Sequence, residues 1–409
     1  MDALDTLLSQ RPSTDRFAKA LALLEALPTP EREQAVDRAR TALESWPDAT
    51  REAPAAAWQD IQQGMAPPFW WPLVRHLQLA EGDSLEVGPA LAPLTSVSSS
   101  QVSVDVSPLR EAHQLRALDL TGNEALESLD FLQTTPRLER LVLSGLELLP
   151  DLAPLRALPA LHSLTLTFNP TLDDIAPLAS LKVLRWLELS GNERLEDFGP
   201  LATLTELERL VVDDCGGLRD LAFVEALPKL RRLSARRLPL LEELRPLANS
   251  RLQELSLGGA RLSDGTPLGS ITSLTRLVLM EVPRLADLSF LQSLAALRTL
   301  HLSELSIALP RLKAPALEEL FISHCAQVLD LKALEALPAL KVLTLEDLPV
   351  KDLTPLAGLP QLERLALTRC PHVRDLSPLA RLPLRQLALI EPAPALDTSP
   401  LPPGCEVIR

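Results

Sequence analysis

The sequence predicts an α/β solenoid: a right-handed superhelix with parallel strands on its concave side, 3₁₀ turns and loops on its convex side, and a small α-helical cap at the N-terminus. Three observations predict it. In the stretch from Leu184 to Leu207, leucines fall at Leu184, Leu187 and Leu189, Asn192 follows, and apolar residues recur at Leu195, Phe198 and Leu201 before Leu207 starts the phrase again. The same phrase starts at Leu115, Leu138, Leu161, Leu184, Leu207, Leu230, Leu252, Leu274, Leu297, Leu317, Leu340, Leu362 and Leu384, in steps of 20 to 23 residues. Its second half repeats as well, as Asp151-Leu-Ala-Pro-Leu155, Asp174-Ile-Ala-Pro-Leu178, Asp352-Leu-Thr-Pro-Leu356 and Asp375-Leu-Ser-Pro-Leu379. A period of this size marks stacked coils, none of which buries its apolar face alone.

Bulk composition agrees and narrows the function. Of 409 residues, 46% are hydrophobic but only 3% are aromatic and Tyr is absent, so the core is built from aliphatic side chains. A formal charge of -14 argues against binding nucleic acid, because neutralising phosphates needs a basic surface. It would also repel an anionic membrane. Charges or prolines break every leucine-rich run before it reaches the ~20 residues that span a bilayer. The start Met1-Asp2-Ala3-Leu4-Asp5 lacks the basic and apolar regions of a signal peptide, so a cytoplasmic protein is expected.

Residues 1–70 lack the leucine phrase. Ser13 or Thr14 can cap a helix with Phe17, Leu21, Leu24 and Leu27 on one face, which Pro28 ends. Thr29 is the expected N-cap of a second helix, with Pro30 at its first position and Ala35, Val36, Ala39 and Leu43 inward. A third, shorter helix holds Trp58 and Ile61. The segment reads as a cap for the first coil, with Trp70 and Trp71 packed on that coil. The alternative is an effector or adaptor module for which the repeats are the sensor.

Residues 71–391 form the repeats. Val74, Leu77 and Leu79 fit a first phrase, and Ser99, Val102 and Val104 a truncated one within the Thr95–Ser107 region, where a short strand and a loop are expected. In Leu-x-x-Leu-x-Leu the last two leucines enter the core and the x positions face out of a short strand. The turn that follows needs a buried polar group for the backbone leaving the ladder, and Asn123, Asn169 and Asn192 stand there. Cys215, Cys325 and Cys370 occupy the same place, which predicts buried thiols acting as weak donors. Cys325 and Cys370 are two coils apart, about 10 Å, too far for a disulfide. The Asp-Leu-x-Pro-Leu segment reads as a tight turn entering one turn of 3₁₀ helix.

The full phrase Leu-x-x-Leu-x-Leu-x-x-Asn-x-x-Leu-x-Asp-Leu-x-Pro-Leu resembles the short leucine-rich-repeat class of internalins and of a nuclear phosphatase-regulator subunit. The resemblance covers about three quarters of the chain and implies the fold and protein recognition in general. No signal peptide or cell-wall anchor is read in the sequence, so the internalins' surface adhesion is not expected to carry over. The ubiquitin-ligase effectors, with ~20-residue repeats and a catalytic cysteine domain, are not matched.

Local departures are expected to matter. The Leu297 coil is short and lacks the Asp-Leu-x-Pro-Leu turn, Gly258-Gly259 and Gly265 are expected to loosen the Leu252 coil, and residues 392–409 form a C-terminal cap ending in a strand at Gly404–Ile408.

Core positions are committed to packing, so function falls to the outward x positions. Trp186, with Phe168 at the far end of the preceding strand and Val211 in the following coil, marks an apolar spot beside Glu188. Arg209, Arg231, Arg232, Arg236 and Arg237 follow in the next two coils, and Trp and Arg are enriched at binding hot spots. Against this, the Trp can lie flat on its own sheet and the arginines can bridge to Glu188, Glu208, Asp213 and Asp214. His301, Phe321 and His324 form a third group on the same face, without a third metal ligand legible in the sequence. No phosphate loop, Gly-x-Ser-x-Gly elbow or His-Glu-x-x-His motif occurs. The expected protein is therefore a monomeric, non-enzymatic interaction scaffold without cofactor or metal, binding a protein partner on its concave face.

Overall fold

The structure is a computed structural model that describes residues 3–99, 101–149, 151–328, 330–391 and 396–409. The chain divides into two compact units, one running to Glu188 and the other from Leu189 onward. Both are built of leucine-rich-repeat coils.

The first unit opens with four helices, α1 (Ala3–Leu8), α2 (Thr14–Glu25), α3 (Thr29–Leu43) and α4 (Ala55–Gln62). The sequence reading missed α1, which is only six residues long. As expected, Ser13 caps α2 by accepting the Arg16 N–H, and α2 buries Phe17, Leu21 and Leu24. The start of α3 differs by one residue: Pro28 is its N-cap and Thr29 its first residue. Pro28 already has the extended backbone an N-cap needs, and Pro30 then falls among the first residues, whose N–H groups have no helical partner.

The helices join the first coil through backbone and ring contacts. Glu52 bridges His76 in parallel, Ala53 N–H donates to the His76 carbonyl at 2.8 Å, and the Arg51 carbonyl accepts Arg75 and His76 N–H. The buried Arg51 side chain donates to the Leu73 carbonyl at 2.9 Å, and burial pushes its pKa down to about 10. Trp71 stacks on Trp58 and donates to the Ala90 carbonyl in the first coil at 2.8 Å. Trp70 instead donates its indole N–H back to Glu25 on α2.

Six parallel strands follow in this unit: β1 (His76–Gln78), β2 (Ser96–Ser98), β3 (Ala117–Asp119), β4 (Arg140–Val142), β5 (Ser163–Thr165) and β6 (Trp186–Glu188), each paired with the next. The placement of β2 corrects the reading of Ser99, Val102 and Val104: the phrase is Leu94, Val97 and Ser99, with the fully buried Ser99 in a leucine's place. A polar residue in a core slot hid the register.

The second unit holds β7 (Arg209–Val211), β8 (Arg232–Ala235), β9 (Glu254–Gly258), β10 (Arg276–Met280), β11 (Thr299–Ser303), β12 (Glu319–Ser323), β13 (Val342–Glu346), β14 (Arg364–Thr368), β15 (Gln386–Ile390) and β16 (Glu406–Ile408), again parallel and in chain order. The expected last strand is β16, while residues 392–395 of the C-terminal cap lie outside the described residues.

The repeat chemistry is the expected one. Asn169 Nδ2 donates to the Leu143 carbonyl and its Oδ1 accepts the Leu146 N–H, both at 2.9 Å. The buried thiols take over the donor half of that role: Cys215 Sγ reaches the Leu189 carbonyl at 3.1 Å and Cys370 Sγ the Leu345 carbonyl at 3.5 Å. Each Asp of the convex phrase accepts the N–H two residues on, as Asp151 from Ala153 and Asp352 from Thr354, and a 3₁₀ turn follows. Among the described residues no such turn forms between β11 and β12, the short Leu297 coil.

The glycines of the Leu252 coil do not loosen it. Gly259 has φ +57°, and a Cβ there would meet Arg237 Cα at 2.7 Å; one on Gly265 would meet the Phe290 ring at 2.5 Å. These glycines are required by close packing.

Candidate protein-binding surface

Strand pleating sends alternate residues of each short strand out of the core, so every coil contributes one middle outward residue to a column running from strand to strand. In the second unit the strand register makes that column Val211, Ser234, Ser256, Val278, His301, Phe321, Thr344, Ala366, Ala388 and Ile408. No member carries a fixed charge, and His301 is its single titratable side chain.

Charges flank this neutral stripe on both sides. The first outward position of the strands supplies Arg209, Arg232, Glu254, Arg276, Glu319 and Arg364. Beyond the strands' other ends lies a column of residues with left-handed backbone: Asp214, Arg237, Gly259, Glu281, Glu304, His324, Asp347, Arg369 and Glu391, with φ between +47° and +57°. The backbone turns here out of the ladder, a conformation that favours glycine, yet eight of these nine positions carry long or charged side chains. No sequence pattern marked this column, because its residue types differ from coil to coil.

At the centre of the stripe the His301 and Phe321 rings meet edge to face, with centroids 4.1 Å apart. Both are half-buried. Burial lowers the His301 pKa, and the neighbouring Arg276 guanidinium lowers it further, so the imidazole is neutral at pH 7. Val278 precedes this pair in the stripe and Thr344 follows it.

His324 lies apart from His301 and Phe321, on the left-handed column. Its Nε2 is 2.9 Å from Asp347 Oδ2. Asp347, Glu346 and His324 hold their ligand atoms within 4.8 Å of one another, a grouping contributed by two coils that the sequence did not reveal. Arg369 fills it: the guanidinium donates to both Asp347 oxygens, at 2.6 to 2.9 Å, and to Glu346 at 2.5 Å, and it holds the Asp347 carboxyl below the usual range. The two carboxylates are engaged by one guanidinium and do not form an open ligand set for a metal.

The predicted arginines of this unit are also engaged. Arg236 donates to Asp213 at 2.8 Å, Arg237 binds Asp214 through two N–H groups, and Arg232 reaches Glu254 at 3.0 Å. Asp213, the expected counter-ion, is buried and also accepts the Ser234 hydroxyl at 2.7 Å. Glu254 is a partner that the sequence did not suggest.

In the first unit, Trp186 opens β6 and is 40% exposed, with Glu188 two residues on along the same outward face. Phe168 is 62% exposed and has φ +54°, where the equivalent position of the preceding coil is Gly145. Register pairs Trp186 with Ser163, so Phe168 lies five residues further along the strand direction, about 16 Å away. The two aromatics are separate features. Leu148, 82% exposed, is one the sequence reading missed. Its loop meets the Phe168 loop, where Leu149 N–H donates to Thr171 Oγ1 at 3.2 Å.

No protein-family model matches the sequence, and no curated protein matches it. Solved structures do resemble the fold. A leucine-rich-repeat protein of Leptospira interrogans is 20% identical, with a TM-score of 0.65, over 87% of this chain and 98% of that one. An internalin of Listeria monocytogenes is 21% identical, with a TM-score of 0.55, over 76% of this chain and 93% of that one. Among the described residues no helix is long and apolar enough to cross a membrane.

Proposed function

We propose that this leucine-rich-repeat chain is a non-enzymatic protein-interaction scaffold that holds its partner on the solvent face of its parallel strands. The carrying observation is the uncharged stripe of the second unit, with the His301–Phe321 pair at its centre and charged columns on both sides. An aromatic centre inside a polar rim is the usual anatomy of a protein-binding patch. Such a surface is set by packing before the partner arrives, so little ordering entropy is lost on binding. Val211, His301 and Phe321 supply its contacts, and Arg209, Arg232 and Arg236 its rim. Phe168, Trp186 and Glu188 offer further contacts on the first unit.

The four cysteines are free, which supports a reducing, cytoplasmic setting. The backbone bonds between the helices and the first coil support a capping role for residues 1–70 over an independent effector role.

Affinity capture from native cytosol tests the proposal with three proteins: wild type, a sheet-face variant (Trp186→Ala with Phe321→Ser), and a helix-surface variant (Glu33→Lys with Asp37→Lys). The sheet-face variant is expected to lose the captured partner and the helix-surface variant to keep it. The opposite pattern would overturn the sheet-face reading in favour of the helical adaptor.

A further inference from the structure

The charges around the His301–Phe321 pair are not all spent inside the molecule. Arg276, at the start of β10, is exposed and has no ion pair among the described residues. Its lateral neighbour Glu254 is engaged by Arg232, and its other neighbour is the uncharged Thr299. Glu281 and Glu304 follow the far ends of β10 and β11, on the left-handed column, and both are exposed without an ion pair among the described residues. Arg237, a cation within electrostatic reach of Glu281, is bound through two N–H groups to Asp214. Between the two charged ends, Ser323 donates to Ser303 at 2.8 Å, so these buried hydroxyls satisfy each other. Glu319, two strands from Arg276 in the same row and on the strand of Phe321, is exposed and also has no ion pair among the described residues. Along β10 and β11 the patch therefore shows an uncommitted cation at one end, an apolar middle and two uncommitted carboxylates at the other, over five residues or about 16 Å of strand.

Resting on the sheet-face reading above, we infer that this patch binds a short extended protein segment with an acidic side chain at one end, an uncharged apolar middle and a basic side chain at the other. The acidic end meets Arg276, the apolar middle covers His301 and Phe321, and the basic end lies between Glu281 and Glu304. About five residues of extended chain span the distance. Because the two ends differ in sign along β10 and β11, segments charged alike at both ends meet one repulsive contact there, which selects against them.

The test uses the full chain and three synthetic peptides with one common apolar centre: acidic at one end and basic at the other, acidic at both ends, and basic at both ends. Fluorescence anisotropy measures each against wild type, Arg276→Glu, the double variant Glu281→Lys with Glu304→Lys, and Phe321→Ser. Wild type is expected to prefer the mixed peptide by about five- to tenfold, the scale of one or two exposed charge contacts. Arg276→Glu is expected to prefer the doubly basic peptide and the Glu281/Glu304 variant the doubly acidic one, with preferences that weaken at high salt. Equal binding of all three peptides by wild type and charge variants, lost in Phe321→Ser, would overturn the charge assignment and leave the sheet-face reading standing. No binding, or full binding by Phe321→Ser, would overturn both.

Discussion

Replacing Asn169 by Ala removes a side chain that serves two backbone groups of the preceding coil. The amide is fully buried; its Nδ2 donates to the Leu143 carbonyl and its Oδ1 accepts the Leu146 N–H, each at 2.9 Å. A methyl group leaves both backbone groups unpaired in a buried leucine core. An orphaned buried donor or acceptor costs about 1–3 kcal/mol, so the expected loss is about 2–5 kcal/mol, a large fraction of the roughly 5–15 kcal/mol stability of an ordinary domain. Asn169→Cys should lose less, about 1–2 kcal/mol, because a thiol can still donate to the Leu143 carbonyl as Cys215 does to that of Leu189. The readout is favourable: the five tryptophans, Trp46, Trp58, Trp70, Trp71 and Trp186, all belong to the first unit, as Asn169 does. Urea unfolding followed by tryptophan fluorescence therefore reports that unit, even where a long repeat array departs from two-state behaviour. The order wild type, Cys, Ala in falling midpoint is expected. Equal midpoints for the Cys and Ala variants would refute the claim that the donor to the carbonyl is the shared function of these positions.

Further outcomes follow from the same structure. Gly259→Ala is expected to destabilise the second unit by at least about 1–2 kcal/mol, since the left-handed backbone disfavours a side chain and Arg237 Cα blocks its Cβ; hydrogen exchange of β8 and β9 amides would rise, and unchanged protection would contradict the packing argument. Alkylation at pH 8 should modify Cys405 in the native protein and spare Cys215, Cys325 and Cys370, because all three are buried and burial pushes the Cys215 thiol up to about 12; mass measurement showing four labels would refute this. Asp214, Asp347, Asp352 and Asp375 have native pKa values below the ordinary 3.8, held down by Arg237, Arg369, Thr354 and Ser377 respectively. Their stabilisation is fully present above that value and is lost as pH falls through the lower native values, so circular dichroism should show acid unfolding setting in below about pH 4, not near neutrality.

The leucine spacing alone determined the coil, its strand and the identity of its core, because those depend on contacts within one phrase and on a period the chain repeats from Leu115 to Leu384. The equivalence of Asn192 and Cys215 was legible for the same reason. Where a coil used an unexpected residue, as Ser99 in a leucine's slot, the local signal failed and only stacking against β1 and β3 fixed the register.

The surface is a different matter. Which charges are spent and which are left open depends on neighbours 20 to 24 residues away, brought side by side by strand pairing. The sequence exposed the arginines Arg232, Arg236 and Arg237, but tertiary structure pairs them with Glu254, Asp213 and Asp214 and leaves Arg276, Glu281, Glu304 and Glu319 without an ion pair among the described residues. It likewise brings Glu346, Asp347 and Arg369 around His324 and turns the His301 and Phe321 rings edge to face. Periodicity decides what enters the core, but only the lateral register of one coil on the next decides which outward side chains satisfy each other.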